Sequence, residues 1–195
     1  PTDFKYLSVI ESGLANAVSP SDARGFWQFM KPAAQEFGLR VDRDVDERYH
    51  VVKATRAACA YLNKAYRRYG DWILAAASYN MGMSGLSRRM EEQSGDVYWD
   101  LMLNDETARD VYRLYATKQV MENPEAHGFV LQAEDWYAPL ETRDTVLVDG
   151  VDDLSRLSQR MGVSYNALKT LNPWLRSGKL PIADDQYYVL RLPLR

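Results

Sequence analysis

The sequence predicts an α+β protein in which a mainly α-helical domain precedes a small βααβ domain. Over the first two thirds of the chain, apolar residues recur at three- and four-residue steps, which is typical of amphipathic helices. The last part of the chain has two β-prone runs that flank two short helical stretches. The chain has 195 residues, of which 46% are hydrophobic, so it can bury a sizeable core without disulfides or metal.

Helical spacing predicts a first helix near the N-terminus, with a buried face formed by Phe4, Leu7, Ile10 and Leu14. A second helix is predicted over residues 51–69, where apolar side chains follow the same spacing and Arg and Lys lie on the opposite face. Asp71 is expected to cap a short apolar helix that begins at Trp72. Gly82 and Gly85 then indicate a stop or a loop.

A last long helix is predicted from Glu106 to Met121. Asn104 or Asp105 can cap its first turn, and Pro124 ends it. The boundaries predicted from these patterns are 1–130 for the helical domain, 131–143 for a linker and 144–195 for the βααβ domain.

The βααβ domain is predicted from two runs of β-prone residues, at 145–148 and 187–192. Between these runs, Asp152 or Asp153 can cap one short helix and Ser164 can cap another. A strand, two helices and a strand within about fifty residues form a compact unit.

Charge and composition exclude several classes of protein. The net charge is −3 and the pI is about 5.5, so no basic field attracts nucleic acid, and no nucleic-acid partner is expected. With two histidines and one cysteine, neither a metal nor another cofactor is expected. That cysteine, Cys59, lies among alanines and is expected to be buried. No apolar run approaches the roughly 18 residues of a membrane span.

Glu11 is the first candidate for chemistry. It falls beside the apolar stripe of the first predicted helix, so burial penalises its ionised form and raises its pKa. A carboxyl that stays protonated near neutral pH can act as a general acid. Periodicity by itself favours the other interpretation, an ordinary glutamate at the helix border with its carboxyl in solvent.

The segment after Glu11 combines a polar turn, a glycine, two aromatic residues and an amide. Gly25 would allow the backbone to approach a ligand closely. Trp27 could stack on the face of a sugar, and Gln28 could bind hydroxyl or acetamido groups. A buried Phe26–Trp27 pair, with Gln28 holding a loop, explains the same residues equally well.

Three motifs in order resemble the lysozyme-like lytic transglycosylases, a family that cleaves peptidoglycan. In residues 11–30 the motif is Glu-Ser, a downstream Ser, and Ala-x-Gly-x-x-Gln-x-Met. Residues 77–82, Ala-Ser-Tyr-Asn-Met-Gly, resemble the family's Ala-x-Tyr-Asn-x-Gly, and residues 106–111, Glu-Thr-Ala-Arg-Asp-Val, resemble its Glu-Thr-x-x-Tyr-Val. Residues 123–129 and the Phe-Trp-Gln form of the first motif are most similar to a membrane-bound branch of the family.

The sequence departs from the family pattern in two places. The tyrosine of the third motif is replaced by Asp110, and Tyr112 follows two residues later. A shift of two residues on a helix turns a side chain to another face, so neither residue is assigned a role. The interval from Glu11 to Gln28 is also about one residue shorter than in the family.

The resemblance implies a lytic transglycosylase with Glu11 as its catalytic carboxyl. Glu11 would protonate the oxygen of the β-1,4 bond between N-acetylmuramic acid and N-acetylglucosamine. It would then take the proton of the muramic acid 6-hydroxyl, which attacks its own anomeric carbon and leaves a 1,6-anhydro end. The resemblance also implies a set of substrate-binding residues: Ser19, Gln28, Tyr79, Asn80 and Glu106.

Each of these binding candidates also has a structural explanation. The helix dipole stabilises an acid such as Glu106 in a first turn, whatever its function. Tyr79 and Asn80 could be a buried tyrosine and a capping asparagine at a helix end. With the neighbouring motifs present, a binding role is the expectation for Tyr79, near Glu11, and for Asn80.

The C-terminal unit resembles a LysM module, a small peptidoglycan- and chitin-binding fold with the same βααβ order. Most matching positions, such as Leu154, Leu157 and Leu168, belong to the core or to helix caps. Asn172 and Trp174 are the candidates for a glycan contact, in a loop that is expected to be exposed. A purely structural LysM-like unit is an equal alternative.

The implied substrate sets the expected location and partners. Peptidoglycan strands as partners imply the bacterial periplasm, with attachment to the outer membrane through a lipidated segment outside this chain. Two other functions stay open: a goose-type lysozyme that hydrolyses the same bond, and a catalytically degenerate peptidoglycan-binding protein. The sequence assigns no oligomeric state.

Overall fold

A computed structural model describes residues 1–194, which fold into eight α-helices and one antiparallel sheet of two strands. The helices are α1 Lys5–Ser12, α2 Lys31–Glu36, α3 Val51–Tyr69, α4 Trp72–Met81, α5 Met83–Gln93, α6 Asp105–Glu122, α7 Leu154–Arg160 and α8 Tyr165–Leu171. The strands are β1 Thr142–Leu147 and β2 Tyr188–Pro193. The predicted α+β class, with helices first and a βααβ unit second, is confirmed. None of the helices within residues 1–194 is long and apolar enough to cross a membrane.

Helix α3 is at the centre of the first core. It ends at Gly70, where φ is +68°, a conformation that glycine adopts without steric cost. Its buried face consists largely of alanines, and small side chains allow neighbouring elements to approach closely. The buried residues around it include Leu7, Trp27, Phe29, Leu39, Leu62 and Ala75. Cys59 is exposed, contrary to the prediction, because it lies one residue beyond the buried stripe of α3.

The predicted caps of helices α4 and α6 are confirmed. The Asp71 carboxylate accepts hydrogen bonds from the backbone N–H groups of Ile73 and Leu74, at 2.7 and 2.8 Å. The Asn104 side chain accepts one from the N–H of Thr107 at 2.8 Å. Both side chains satisfy donors that have no partner within the helix, which fixes where each helix begins.

Only one of the two glycines that indicated a loop interrupts a helix. Gly82, with φ +77°, separates α4 from α5. Gly85 lies inside α5, so the prediction of a loop there is wrong. A glycine inside a helix costs about 1 kcal/mol relative to alanine, an amount that packing can offset. Helix α5 packs its buried Leu86 against α4 and Tyr98.

Helices α1 and α6 pack side by side with opposite chain directions. At the start of this pair, the Asp3 carboxylate accepts a hydrogen bond from Lys118 Nζ at 2.7 Å. The Tyr6 hydroxyl donates to the Glu122 carboxylate at 2.8 Å, at the end of α6. At the other end, hydrogen bonds join Ser12 to Phe26, Tyr79 to Trp27, and Thr107 in the first turn of α6 to Asn80. The last turn of α1, which carries Glu11, therefore lies near the first half of α6.

The C-terminal unit has the predicted order of strand, helix, helix and strand. Strands β1 and β2 are antiparallel, with Thr142 opposite Pro193 at one end. The Asp153 carboxylate caps α7 and the Ser164 hydroxyl caps α8, as predicted. Strand β1 begins at Thr142, two residues before the predicted start of this domain.

The C-terminal domain shares its core with the loop that precedes α3. Val45 and Tyr49 from this loop lie in the same apolar cluster as Trp174. The Arg176 N–H donates to the Asp44 carbonyl at 2.8 Å, and its guanidinium lies 4.5 Å from the centre of the Tyr49 ring. The two parts of the chain therefore contact each other directly, in addition to their covalent connection. The domain boundaries at 130 and 143 stay a prediction.

Candidate active site

Glu11 lies partly buried in the last turn of α1. The pKa of its carboxyl is raised from 4.5 to about 7. Burial is the largest cause, and the negative charges of Asp110 and Glu106 act in the same direction, whereas Arg113 lowers the pKa. The direction is the one predicted from the position of Glu11 beside the apolar stripe. Near neutral pH the carboxyl is therefore about half protonated, so it can donate a proton or accept one.

Ser12 ties the end of α1 to the segment that carries the rest of the first motif. Its hydroxyl donates to the Phe26 carbonyl at 2.9 Å and also lies 3.1 Å from the Ser8 carbonyl. The contact to Phe26 joins residues 14 positions apart in the chain. It fixes the position of Glu11, the neighbouring residue, relative to this segment.

Gly25 makes a close backbone contact, but with the protein itself. Its φ is +78°, and a Cβ at this position would lie 2.0 Å from the Arg48 carbonyl oxygen. The expectation that Gly25 makes room for a ligand is therefore wrong. Arg48 is 3% exposed and holds the same segment with hydrogen bonds to the carbonyls of Asp22 and Phe29.

Gln28 holds the loop with one end of its amide and leaves the other end available. Its Nε2 donates to the carbonyls of Ala17 and Gly25, at 3.2 and 2.8 Å. Within residues 1–194 its Oε1 makes no hydrogen bond, so this oxygen can accept one from a sugar hydroxyl or acetamido N–H. The two roles predicted for Gln28, holding the loop and binding a sugar, are thus both compatible with its hydrogen bonds.

Trp27 is buried and does not offer a face for sugar stacking. It is 6% exposed, and its Nε1 donates to the Thr55 hydroxyl at 2.8 Å. Ser19 also has a local role, because its Oγ accepts a hydrogen bond from the Ala23 N–H at 3.0 Å. Ser19 therefore closes the turn at the start of this segment.

Tyr79 reaches from α4 to the same segment. Its hydroxyl donates to the Trp27 carbonyl at 2.8 Å, and its ring packs edge-on against Trp27, Phe29 and Tyr61. Burial holds the pKa of Tyr79 well above its usual value, and the negative charge of Glu11 adds to this effect. Tyr79 is thus a neutral hydroxyl near Glu11, as the resemblance implied, but its proton is directed to a backbone carbonyl.

Asn80 is oriented by a partner on the third motif. The Thr107 hydroxyl donates to Asn80 Oδ1 at 2.8 Å, and Thr107 is fully buried. Because this bond turns Oδ1 towards Thr107, the Nδ2 of Asn80 lies on the other side of the amide and can act as a hydrogen-bond donor. Thr107 was not identified from the sequence as a site residue, although it belongs to the third motif. Glu106, in the first turn of α6, is exposed and close enough to raise the pKa of Glu11.

Asp110, which departs from the family pattern in the sequence, is a second carboxyl close to Glu11. It is 6% exposed, and Arg113 Nη1 lies 3.2 Å from its Oδ1. Burial raises the pKa of Asp110, while Arg113 counteracts that rise. Tyr112, in contrast, is 60% exposed, and its ring packs edge-on against Trp99.

Asn172 and Trp174 are buried, so the expectation of an exposed glycan-binding loop is wrong. Asn172 is 1% exposed and joins α8 to β2: its Nδ2 donates to the carbonyls of Leu168 and Arg191, and its Oδ1 accepts from the Arg191 N–H. Trp174 is 2% exposed and stacks on Tyr188, with ring centres 4.9 Å apart. Their hydrogen-bonding and packing capacity is therefore used inside the protein.

The three motifs thus lie close together around the end of α1, which carries the acid Glu11. The groups whose charges interact with Glu11 are Tyr79 from the second motif and Glu106 and Asp110 from the third. Gln28 and Asn80 lie on the segments that Ser12, Tyr79 and Thr107 hold together, and in the described part of the chain each has a free polar atom. This arrangement can transfer a proton and bind a polar ligand. Among residues 1–194, no three His, Cys, Asp or Glu side chains are grouped closely enough to hold a metal ion.

Comparison with known families agrees with the first two of these motifs, whereas the third, at residues 106–111, lies beyond the matched range. The family described as Transglycosylase SLT domain matches residues 1–102, and the family described as Soluble lytic transglycosylase C-terminal LysM-like domain matches residues 144–195. The chain is also similar to the membrane-bound lytic murein transglycosylase D of two strains of Escherichia coli, with 26% identity over 196 residues. The similarity covers 97% of this chain but 43% of each relative, so the chain spans less than half their length.

Proposed function

Because the chain belongs to the Transglycosylase SLT domain family, we propose that it is a peptidoglycan lytic transglycosylase. It cleaves the β-1,4 bond between N-acetylmuramic acid and N-acetylglucosamine without adding water. The observation that carries the proposal is the pKa of Glu11, raised to about 7 in the site where the family motifs meet. A carboxyl with this pKa can serve as acid and then as base at the same pH.

The first step is proton transfer from Glu11 to the glycosidic oxygen. The bond between this oxygen and the anomeric carbon of muramic acid breaks, and N-acetylglucosamine leaves with the proton. Positive charge develops at the anomeric carbon, where the acetamido group of the substrate can stabilise it. Glu11 is now a carboxylate.

The second step closes the anhydro ring. The 6-hydroxyl oxygen of the same muramic acid bonds to the anomeric carbon, and its proton moves to the Glu11 carboxylate. The acid is thereby restored, and no water enters the product. One carboxyl suffices for both steps, whereas ordinary glycosidases use two at a set separation.

The neighbouring polar groups support a binding role for the remaining motif residues. Gln28 Oε1 and Asn80 Nδ2 provide an acceptor and a donor for substrate hydroxyl or acetamido groups. Glu106 is exposed in the first turn of α6 and can contact the sugar directly. Ser19 and Tyr79 hold the shape of the site through backbone hydrogen bonds and line it.

The domain assignment and cellular setting are part of the same proposal. Residues 1–130 form the catalytic domain, 131–143 a linker and 144–195 a LysM-like module that contacts peptidoglycan. The names of the two similar proteins describe membrane-bound murein transglycosylases, which supports a role in the cell envelope. We place this protein in the periplasm, with a lipidated segment outside this chain as its attachment to the outer membrane.

Mass spectrometry of the products tests the proposal. Purified peptidoglycan is digested with the wild-type protein and with Glu11→Gln, which keeps the size of the side chain but has no acidic proton. We expect 1,6-anhydromuramic products from the wild-type protein and none from the variant. Products with reducing ends would show a hydrolase, and binding without any product would show a degenerate peptidoglycan-binding protein.

A further inference from the structure

The register of α1 against α6 places Asp110 across from Glu11. The two helices are antiparallel, and Asp3 pairs with Lys118 at one end. Glu11 lies eight residues after Asp3, and Asp110 lies eight residues before Lys118. At about 1.5 Å per residue of α-helix, Asp110 is about 12 Å along α6 from Lys118. Glu11 is in the last turn of α1, at the end opposite to Asp3, which precedes that helix.

The residues between these two ends support that register. Leu7 lies midway between Asp3 and Glu11, and Leu114 lies midway between Lys118 and Asp110. Both leucines pack in the same apolar cluster. Residues four apart lie on one face of an α-helix, so Leu7 and Glu11 share a face of α1, and Asp110, Leu114 and Lys118 share a face of α6.

Asp110 is held in this interface as a buried carboxylate with one cationic partner. Its side chain is 8% exposed, whereas that of Arg113 is 56% exposed, so the cation extends towards solvent. The other charged or titratable groups that face the pair are Glu106 on α6, Tyr79 on α4 and Tyr98 before α6.

We propose that Asp110 is a positioning residue of the active site, whose carboxylate faces Glu11 across the α1–α6 interface and keeps the catalytic proton on Glu11. The proposal rests on the function proposed above, in which Glu11 is the acid. Asp110 takes the place of a tyrosine in the family pattern, and a tyrosine there would carry no charge at neutral pH. Asp110 therefore adds a negative charge near the carboxyl of Glu11, and the family pattern has no such charge at this position.

The electrostatics agree with this role. The negative charge of Asp110 raises the pKa of Glu11, and only burial has a larger effect. Burial raises the pKa of Asp110, and the adjacent guanidinium of Arg113 counteracts that rise by favouring the carboxylate. Once Asp110 is ionised, a second negative charge on Glu11 is disfavoured, and Glu11 retains its proton to a higher pH.

The test measures the titration of Glu11 in wild-type protein, in Asp110→Asn and in the matched control Asp105→Asn. Asp105 lies on the same helix with a 92% exposed side chain. The carbon-13 signal of the Glu11 carboxyl is followed against pH without substrate, and kcat/KM on peptidoglycan is followed over the same range. In Asp110→Asn we expect the pKa of Glu11 to fall by about half a unit to one unit. A fall of one unit would lower activity at pH 8 about tenfold.

Asp110→Tyr, which restores the uncharged residue of the family pattern, is the second variant, in case Asp110→Asn does not fold. It also removes the negative charge that raises the pKa of Glu11, so the titration moves to lower pH. An unchanged Glu11 titration in both variants, or equal shifts in Asp110→Asn and Asp105→Asn, would overturn the proposal. Absence of anhydro products from the wild-type protein would overturn the proposed function instead, and the titration without substrate would still decide the role of Asp110.

Discussion

Replacing Glu11 by glutamine should make the folded protein more stable at pH 8, although it removes the proposed catalytic acid. The carboxyl has a pKa of about 7 when folded and an ordinary value of 4.5. A difference of about 2.5 units corresponds to about 3 kcal/mol. Because Glu11 is only partly buried, solvent screens its charge, and we expect a gain of about 1–2 kcal/mol.

The sign follows from the protons bound in each state. Between pH 4.5 and about 7, the unfolded chain has lost the Glu11 proton while the folded protein still holds it. The folded state binds more protons in that window, so its stability falls as the pH rises. Above about pH 7 the loss is complete. Glutamine does not ionise, so Glu11→Gln avoids the loss.

Urea unfolding of the wild-type protein and Glu11→Gln at pH 4 and pH 8 measures this difference. We expect similar free energies of unfolding at pH 4 and a more stable variant at pH 8. Glu91→Gln, at an exposed position on α5, is the matched control and should show no such pH-dependent gain. If the difference between wild-type protein and Glu11→Gln is the same at both pH values, the raised pKa of Glu11 is refuted.

Two further predictions concern the interface and the substrate site. Trp174→Ala removes a side chain that stacks on His50 and Tyr188, and should lower the free energy of unfolding by about 3–5 kcal/mol in a urea titration. Thr107→Val removes the hydroxyl that orients Asn80, and should lower kcat/KM on peptidoglycan about three- to tenfold with an unchanged melting temperature.

Trp174→Ala and Thr107→Val each have a matched control variant and an outcome that would contradict the explanation given for them. Tyr187→Ala, at a side chain 63% exposed, should change stability by less than about 0.5 kcal/mol. A Trp174→Ala protein as stable as Tyr187→Ala would contradict the packed interface between the two domains. Thr107→Ser keeps the hydroxyl and should retain activity; equal losses in Thr107→Ser and Thr107→Val would contradict the orienting role.

Features with local causes were predictable from the sequence. Asp71, Asn104, Asp153 and Ser164 cap the helices that they were expected to cap, because a cap depends on residues within three positions of it. The order of strand, helix, helix and strand follows from short-range patterns in the same way. The raised pKa of Glu11 also has a local component, its position beside the apolar stripe of α1.

Features that depend on distant contacts were not predictable. Trp174 and Asn172 were expected in an exposed loop because no local pattern reveals the contacts with His50 and Arg191. The charge of Asp110 was visible, but its position opposite Glu11 depends on the register of two helices about a hundred residues apart. Contacts between distant parts of the chain thus determine that Trp174 and Asn172 are buried and that Asp110 lies near Glu11.

Digestion of peptidoglycan in water labelled with heavy oxygen tests the central claim most directly. A lytic transglycosylase closes the anhydro ring with the substrate's own hydroxyl, so we predict 1,6-anhydromuramic ends that contain no heavy oxygen. The same digestion with Glu11→Gln should yield no such ends. Incorporation of one heavy oxygen at the anomeric carbon of muramic acid would contradict the account, because it would show that water attacks.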